Sequence, residues 1–139
     1  MADETGKDLA QRFIAALRSI ESEGHGAVES MAALFAAGAT LTNPALQQTG
    51  SRRDGRDGAR AFWNAYADTF TGARTEFNHV TIGEHAIGLF WTTAGGSAGP
   101  GQEPLGYDGA TLIEHDATGS ITGFRGYYDT QALKTTATG

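Results

Sequence analysis

The sequence has no cysteine and little positive charge, and each shortage excludes a class of function. Without cysteine there are no disulfides, thiolate metal sites or cysteine nucleophiles. Lysine and arginine total 10 against 16 acidic residues, which gives a formal net charge of −6 at pH 7. A duplex-binding protein needs a positive face to displace counterions from phosphates. We therefore expect no nucleic-acid partner.

The one basic cluster lies at residues 52–60 (RRDGRDGAR), where Asp54 and Asp57 interrupt four arginines. Mixed charges of this kind are typical of a solvated surface segment. We interpret the cluster as a self-neutralised loop and helix start.

Long apolar runs are also missing. No stretch approaches the roughly 18 residues that a membrane span requires, and the polar start MADETGKDLAQRF lacks the pattern of a secretory signal. The sequence predicts a cytoplasmic protein with no membrane partner.

Apolar residues follow two kinds of periodicity along the chain, and the change from one to the other lies at Gly72. Before it, apolar residues recur at helical spacing and predict helices at 5–22, 27–36 and 56–71, with a short strand at 39–43. After it, alternating and β-branched segments predict strands at 74–82, 86–93, 105–115 and 120–129. The ten residues GGSAGPGQEP, at 95–104, are expected to form a loop.

This order predicts one α+β domain over residues 1–139, with loose tails at 1–4 and 134–139. A curved mixed sheet wrapped around three N-terminal helices would form a cone and enclose an apolar pocket. Pockets of this kind are the usual sites of small-molecule binding.

Three strings carry a resemblance to a known family: LFAAGATLTNPAL, GRDGARAFWNAY and GSITGFRGYYD. In this order and spacing they resemble the nuclear transport factor 2-like / SnoaL-like superfamily, which includes ketosteroid isomerase, polyketide cyclases and scytalone dehydratase. The resemblance covers essentially the whole chain. It implies the cone-shaped fold and a small-molecule pocket.

The same resemblance implies that the best-known chemistry of the superfamily is missing. Ketosteroid isomerase-like enzymes use a carboxylate base, a tyrosine and a protonated aspartate, and the matching positions here are Asn43, Phe13 and Thr111. The acid that epoxide hydrolase-like and cyclase-like members carry on the last strand is matched by Gly126. An amide cannot abstract a carbon-bound proton, and phenylalanine donates no hydrogen bond.

One titratable candidate survives, which is His79. Relatives similar to scytalone dehydratase carry a histidine in a context like TEFNHVTIG, and alternation puts Thr75, Phe77 and His79 on one strand face. We expect His79 to point into the cone as an acid or base, with Asn43 and Tyr128 as polar partners. The alternatives are a hydrogen-bonded histidine in a half-buried strand and an asparagine that only holds the turn at Pro44.

The residues expected to bind substrate are apolar or small and lie at inward positions of the predicted elements. They are Phe13, Trp63, Phe77, Trp91, Thr111, Phe124 and Gly126. The other histidines, His25, His85 and His115, lie beside turns and are expected to be exposed. They show no ligand spacing, so we expect no metal site, and we expect no cofactor.

Three functions remain open. The first is a cofactor-free enzyme (a lyase, isomerase or cyclase) that acts on an apolar cyclic molecule. The second is a non-catalytic ligand-binding or accessory protein. The third is an adaptor that uses its outer sheet face. Aromatic residues on both alternation phases, as in Phe90 and Trp91 or Tyr127 and Tyr128, also predict a homodimer through the convex face of the sheet.

The missing carboxylates generate a first prediction. We expect neither 3-ketosteroid isomerisation nor epoxide hydrolysis at enzyme-like rates, because each lost acid–base or oxyanion group lowers the rate by about 10²- to 10⁴-fold. Steady-state assays with both substrate classes test this. Ready turnover of either would show that the equivalence drawn for Asn43, Phe13, Thr111 and Gly126 is wrong.

Overall fold

The computed structural model describes residues 2–70, 72–98 and 103–128. The helices are α1 (Ala2–Glu23), α2 (Val28–Ala32), α3 (Pro44–Gln48) and α4 (Gly55–Phe70), and a 3₁₀ turn at Gly24–Ala27 joins the first two. The strands are β1 (Phe35–Thr42), β2 (Arg53–Asp54), β3 (Ala73–Ile82), β4 (Ala86–Ala98), β5 (Glu103–His115) and β6 (Ile121–Tyr128). The predicted α+β class is confirmed.

The strands form one curved mixed sheet in the order β2-β1-β6-β5-β4-β3. Strands β3 to β6 are an antiparallel meander, and β1 joins it by pairing parallel to β6. The pairings β1–β6, β3–β4, β4–β5 and β5–β6 each contain a register shift. Such irregularities bend strands and increase their twist, so they help the sheet to curve around the helices.

The helices pack on the concave side of this sheet through apolar stripes. Leu9, Phe13 and Ile20 of α1 are buried, at spacings that place them on one helical face. Ala59 and Trp63, one turn apart on α4, are buried in the same core. Burial of these faces against the sheet is the main source of stability for the layered arrangement.

The second predicted helix, at 27–36, is too long. The α-helix ends at Ala32, and Phe35 already pairs with Ile121 at the start of β1. Phe35 is fully buried, as the predicted helix also required, but it lies in a strand. Periodicity cannot distinguish a short buried strand from a buried helix segment. The apolar pattern therefore predicts a helix where the chain forms the start of β1.

Other boundaries also shift. Strands β4 and β5 extend into the segment 95–104 that was expected to be a loop, and only 99–102 of it lie outside the described residues. The short helix α3 and strand β2 were not predicted. Residues 2–4 of the expected N-terminal tail (1–4) form the start of α1. Residue 1, the expected tail at 134–139 and the end of the last predicted strand at 129 lie outside the described residues.

The basic cluster carries the internal pairing that its sequence suggested. Arg52 lies 3.0 Å from Asp54, and Arg60 lies 2.6 Å from both Asp57 and Glu29. No helix in the described part of the chain is both long and apolar enough to span a membrane.

Gly109 generates a stability prediction, because the surrounding atoms leave no room for a side chain there. A Cβ at this position would overlap the ring of Trp91 and lie 2.7 Å from the carbonyl oxygen of Tyr127. We expect Gly109→Ala to lower the free energy of unfolding by about 1–3 kcal/mol, as overpacking does, in urea denaturation. Gly38→Ala is the control, because its Cβ would meet nothing within 4 Å, and it should change stability by less than about 0.5 kcal/mol. Equal effects of the two variants would contradict close packing at Gly109.

Candidate functional site

A cavity lies between the concave face of the sheet and the helices α1 and α4. The space within it is about 590 Å³ when the solvent in its open mouth is counted. Nine of the ten residues predicted for the site line it: Phe13, Asn43, Trp63, Phe77, Trp91, Thr111, Phe124, Gly126 and Tyr128. Five lining residues were not predicted as site residues: Leu17, Phe62, Tyr66, Thr75 and Thr93.

Aromatic rings form the wall on the helix side. Trp63 packs edge-on against Phe62 and Tyr66, with ring centroids 4.9 and 5.4 Å apart. Phe13 and Phe124 lie within 6 Å of the Trp63 ring. Edge-to-face contacts at these distances are favourable beyond the area that they bury, so this wall is held in a defined shape.

A cross-strand row forms the floor. Phe77, Trp91, Gly109 and Tyr128 face one another across four neighbouring strands, β3 to β6. The missing side chain at Gly109 admits the Trp91 ring, whose N–H donates to the hydroxyl of Thr111 at 2.9 Å. The row therefore places the aromatic side chains of Phe77, Trp91 and Tyr128 opposite the helices.

Asn43 and Tyr128 lie on the β1–β6 side of the cavity. The side-chain oxygen of Asn43 accepts from the backbone N–H of Leu46 at 2.9 Å and so caps α3, while the residue also lines the cavity. The side chain of Asn43 thus holds the turn at Pro44, and its role as a polar partner in the cavity stays a prediction. Burial raises the pKa of the Tyr128 hydroxyl, and hydrogen bonding from the backbone of Ala45 offsets part of that rise.

A buried carboxylate lies behind the opposite side of the cavity, near β3 and β4. Glu21 of α1 is only 3% exposed. Its Oε2 accepts from Tyr66 at 2.7 Å and from the Thr75 hydroxyl at 2.5 Å, and its Oε1 accepts from the Thr75 backbone N–H at 3.2 Å. The Thr75 hydroxyl also bonds to that of Thr93 at 2.8 Å. We call Glu21, Tyr66, Thr75 and Thr93 the Glu21 cluster.

Sequence reasoning missed the Glu21 cluster, although one observation could have indicated it. Glu21 follows Leu17 by four residues and so continues the buried stripe of α1 at helical spacing. A buried carboxylate requires hydrogen-bond donors to offset its desolvation. The donors come from α4 and β3, elements distant in sequence, so the sequence alone does not identify them.

The prediction that His79 points into the cavity is wrong. Phe77 pairs with Trp91, but His79 pairs with Phe90, so Asn78 is an extra residue in β3. This bulge inverts the alternation and turns His79 to the outer face of the sheet. There the side chain is exposed and its ring lies 5.9 Å from that of Phe90.

The remaining histidines also lie away from the cavity. His25 and His85 are exposed as expected, whereas His115 is 4% exposed, so its expected exposure is wrong. Hydrogen bonds from His25 to Asn64 and Asp68 raise its pKa. Within residues 2–70, 72–98 and 103–128 no group of three or more potential ligands lies close enough to hold a metal ion.

Comparisons with known proteins agree with this geometry. A family model described as "SnoaL-like domain" matches residues 10–124. The search of curated proteins found no match.

Solved structures match along nearly the whole chain. One is a putative SnoaL-like polyketide cyclase from Jannaschia sp. CCS1, with 13% identity, a TM-score of 0.79 and coverage of 97% of this chain and 92% of that one. A second is TerC co-crystallised with polyporic acid, with 13% identity and a TM-score of 0.76. The match covers 96% of this chain and 98% of that one. A third is SalBIII, described as an epoxide hydrolase/cyclase-like enzyme in pyran ring formation in salinomycin, with 16% identity and a TM-score of 0.72. The match covers 95% of this chain and 97% of that one. At these identities the likeness shows the fold alone.

The Glu21 cluster generates a stability prediction. Thr75→Val removes the hydroxyl that donates to Glu21 while keeping the shape of the side chain, and it leaves the buried carboxylate with fewer donors. We expect a loss of about 1.5–3 kcal/mol in the free energy of unfolding, the range for hydrogen bonds to charged groups. Urea denaturation measures it.

Thr81→Val provides the matched control, since Thr81 lies on the same strand, is exposed, and its hydroxyl donates at a long 3.5 Å to the carbonyl of Gly88. It should shift stability by less than about 0.5 kcal/mol. If Thr75→Val is as mild as this control, the cluster does not stabilise the fold.

Proposed function

The chain belongs to the SnoaL-like domain family, and we propose that it binds an apolar, cyclic small molecule in the cavity. The observation that carries the proposal is the cavity itself, with an aromatic wall on the helix side and the Trp91 row opposite. Aromatic side chains on two sides of the cavity suit an apolar, ring-shaped ligand. A few polar groups at separate positions are typical of ligand sites.

Binding is favoured over catalysis by what lines the cavity. The described lining residues include no histidine, acidic or basic side chain, since His79 lies on the outer face and Glu21 lies behind Thr75 and Tyr66. A general acid or base must come within hydrogen-bonding reach of the proton that it moves. Tyr128 and Asn43 alone would make a weak catalyst.

A cofactor-free lyase, isomerase or cyclase is the alternative. Two similar structures are described as a "putative SnoaL-like polyketide cyclase" and as an "epoxide hydrolase/cyclase-like enzyme". Both descriptions support a cyclic ligand here, and they keep ring-forming chemistry as the reaction class to assay if binding is found.

Filling the cavity tests the proposal. A Cβ at Gly126 would meet only Asn43, at an ordinary 3.5 Å, so Gly126→Leu should fold and occupy ligand space. We expect naphthalene derivatives to quench the fluorescence of Trp63 and Trp91 in the wild type, and Gly126→Leu to weaken binding by about tenfold or more.

Arg125→Leu, on the same strand with an exposed side chain, is the control and should bind like the wild type. Circular dichroism confirms that both variants fold. Undiminished binding to Gly126→Leu would place the ligand elsewhere and refute the proposal.

We also propose a homodimer through the outer face of the sheet. A second cross-strand row, one position from the Trp91 row, contains His79, Phe90, Ala110 and Tyr127. Phe90 is 45% and Tyr127 46% exposed. Two copies of one face can cover each other by two-fold pairing, the commonest symmetry of soluble oligomers.

Sedimentation velocity tests the dimer. At tens of micromolar we expect the wild type to sediment as a dimer and Phe90→Glu as a monomer, because a carboxylate at the centre of the face would be desolvated. Gln47→Glu, an exposed change on α3, should leave the dimer intact. A wild-type monomer would contradict the proposal.

A further inference from the structure

We propose that the Glu21 cluster is a subsite for a hydrogen-bond donor, so that the ligand carries a hydroxyl or amine group at the β3–β4 side of the cavity. The inference rests on the proposed function and adds the chemical class of the group that is recognised. It follows from the direction in which each hydroxyl proton of the cluster must point.

The proton directions follow from Glu21, because a carboxylate only accepts hydrogen bonds. Tyr66 and Thr75 both donate their hydroxyl protons to its Oε2. Thr75 then has no proton left for its 2.8 Å contact with Thr93, so Thr93 is the donor there. All three hydroxyl protons point along the chain of bonds toward Glu21.

The consequence for the cavity concerns its lining atoms. Tyr66, Thr75 and Thr93 line the cavity, whereas Glu21 does not. Tyr66 and Thr75 donate their hydroxyl protons to the carboxylate, and Thr93 donates its proton to Thr75. These hydroxyls can therefore offer a ligand only oxygen lone pairs. The subsite therefore accepts a ligand O–H or N–H and disfavours a carbonyl or ether oxygen, which would meet lone pairs without a proton.

Glu21 acts through its neighbours and is a positioning residue. It is almost fully buried and is separated from the cavity by Tyr66 and Thr75. Its substitution should therefore change which ligand group is preferred, an effect that a merely structural role would not produce.

The experiment compares three probes of one skeleton by quenching of tryptophan fluorescence. 2-Naphthol carries a donor, 2-methoxynaphthalene carries only an acceptor, and 2-methylnaphthalene carries neither. We expect wild-type protein to bind 2-naphthol about tenfold or more tightly than either other probe, the effect of about one net hydrogen bond. The methoxy probe should bind no more tightly than the methyl probe, because its ether oxygen meets lone pairs without a proton.

Two variants then test the role of the cluster. In Glu21→Gln the amide NH₂ can donate to Tyr66 or Thr75. At least one hydroxyl proton then turns toward the cavity. The preference for 2-naphthol should therefore fall to about threefold or less. Glu23→Gln, an exposed glutamate of the same helix, should keep the wild-type preference.

If Glu21→Gln does not fold, the double variant Tyr66→Phe/Thr93→Val replaces it, because it removes two acceptor oxygens and keeps the Thr75 bonds to Glu21. The same fall is expected.

The outcomes separate the two proposals. If no probe binds, or if Gly126→Leu binds them all as the wild type does, the cavity is not a ligand site and both proposals fail. If all three probes bind the wild type with equal affinity, the ligand site stands and the donor subsite is refuted. A 2-naphthol preference that persists in the folded Glu21→Gln protein, or in the double variant, also refutes the subsite.

Discussion

The site depends on the need to supply a buried carboxylate with hydrogen bonds. Glu21 leaves water on folding, and such a group is tolerated only when donors surround it. The donors come from α4 and β3, through Tyr66 and Thr75, and Thr93 of β4 extends the chain of bonds. One side chain thus joins the first helix to the last helix and to the far side of the sheet. The same bonds determine which hydrogen-bonding atoms that side of the cavity presents.

Much of the fold could be predicted because local pattern and tertiary structure agree along most of the chain. The change of period at Gly72 separates helices from the meander, and the stripes of α1 and α4 face the sheet as expected. The pattern failed at Phe35, where a buried strand and a buried helix segment leave the same apolar trace. Strand order and the parallel β1–β6 pairing depend on contacts remote in sequence, which single-sequence periodicity does not report.

The site illustrates how a single inserted residue reverses a prediction. Alternation correctly placed Phe77 toward the cavity, but it assumed an unbroken strand. The bulge at Asn78 puts His79 in the outer row beside Phe90, and nothing in TEFNHVTIG distinguishes a bulged from a regular strand. The titratable group expected in the cavity is therefore absent from its described lining, while the carboxylate that does approach it, Glu21, lies one layer further back. At the two positions where the resemblance implies acid–base groups, Asn43 caps a short helix and Gly126 has no side chain.

The central claim is that the cavity is the ligand site, and the two tryptophans of the chain report on it directly. Trp63 and Trp91 are the only tryptophans, and both line the cavity. Titration of ¹⁵N-labelled protein with 2-naphthol, followed by ¹H–¹⁵N correlation spectra, should shift both indole N–H resonances and leave the backbone amides of His79 and Tyr127 in the outer row nearly unchanged. Indole resonances that stay fixed while the outer-row amides move would place binding on the convex face and contradict the account.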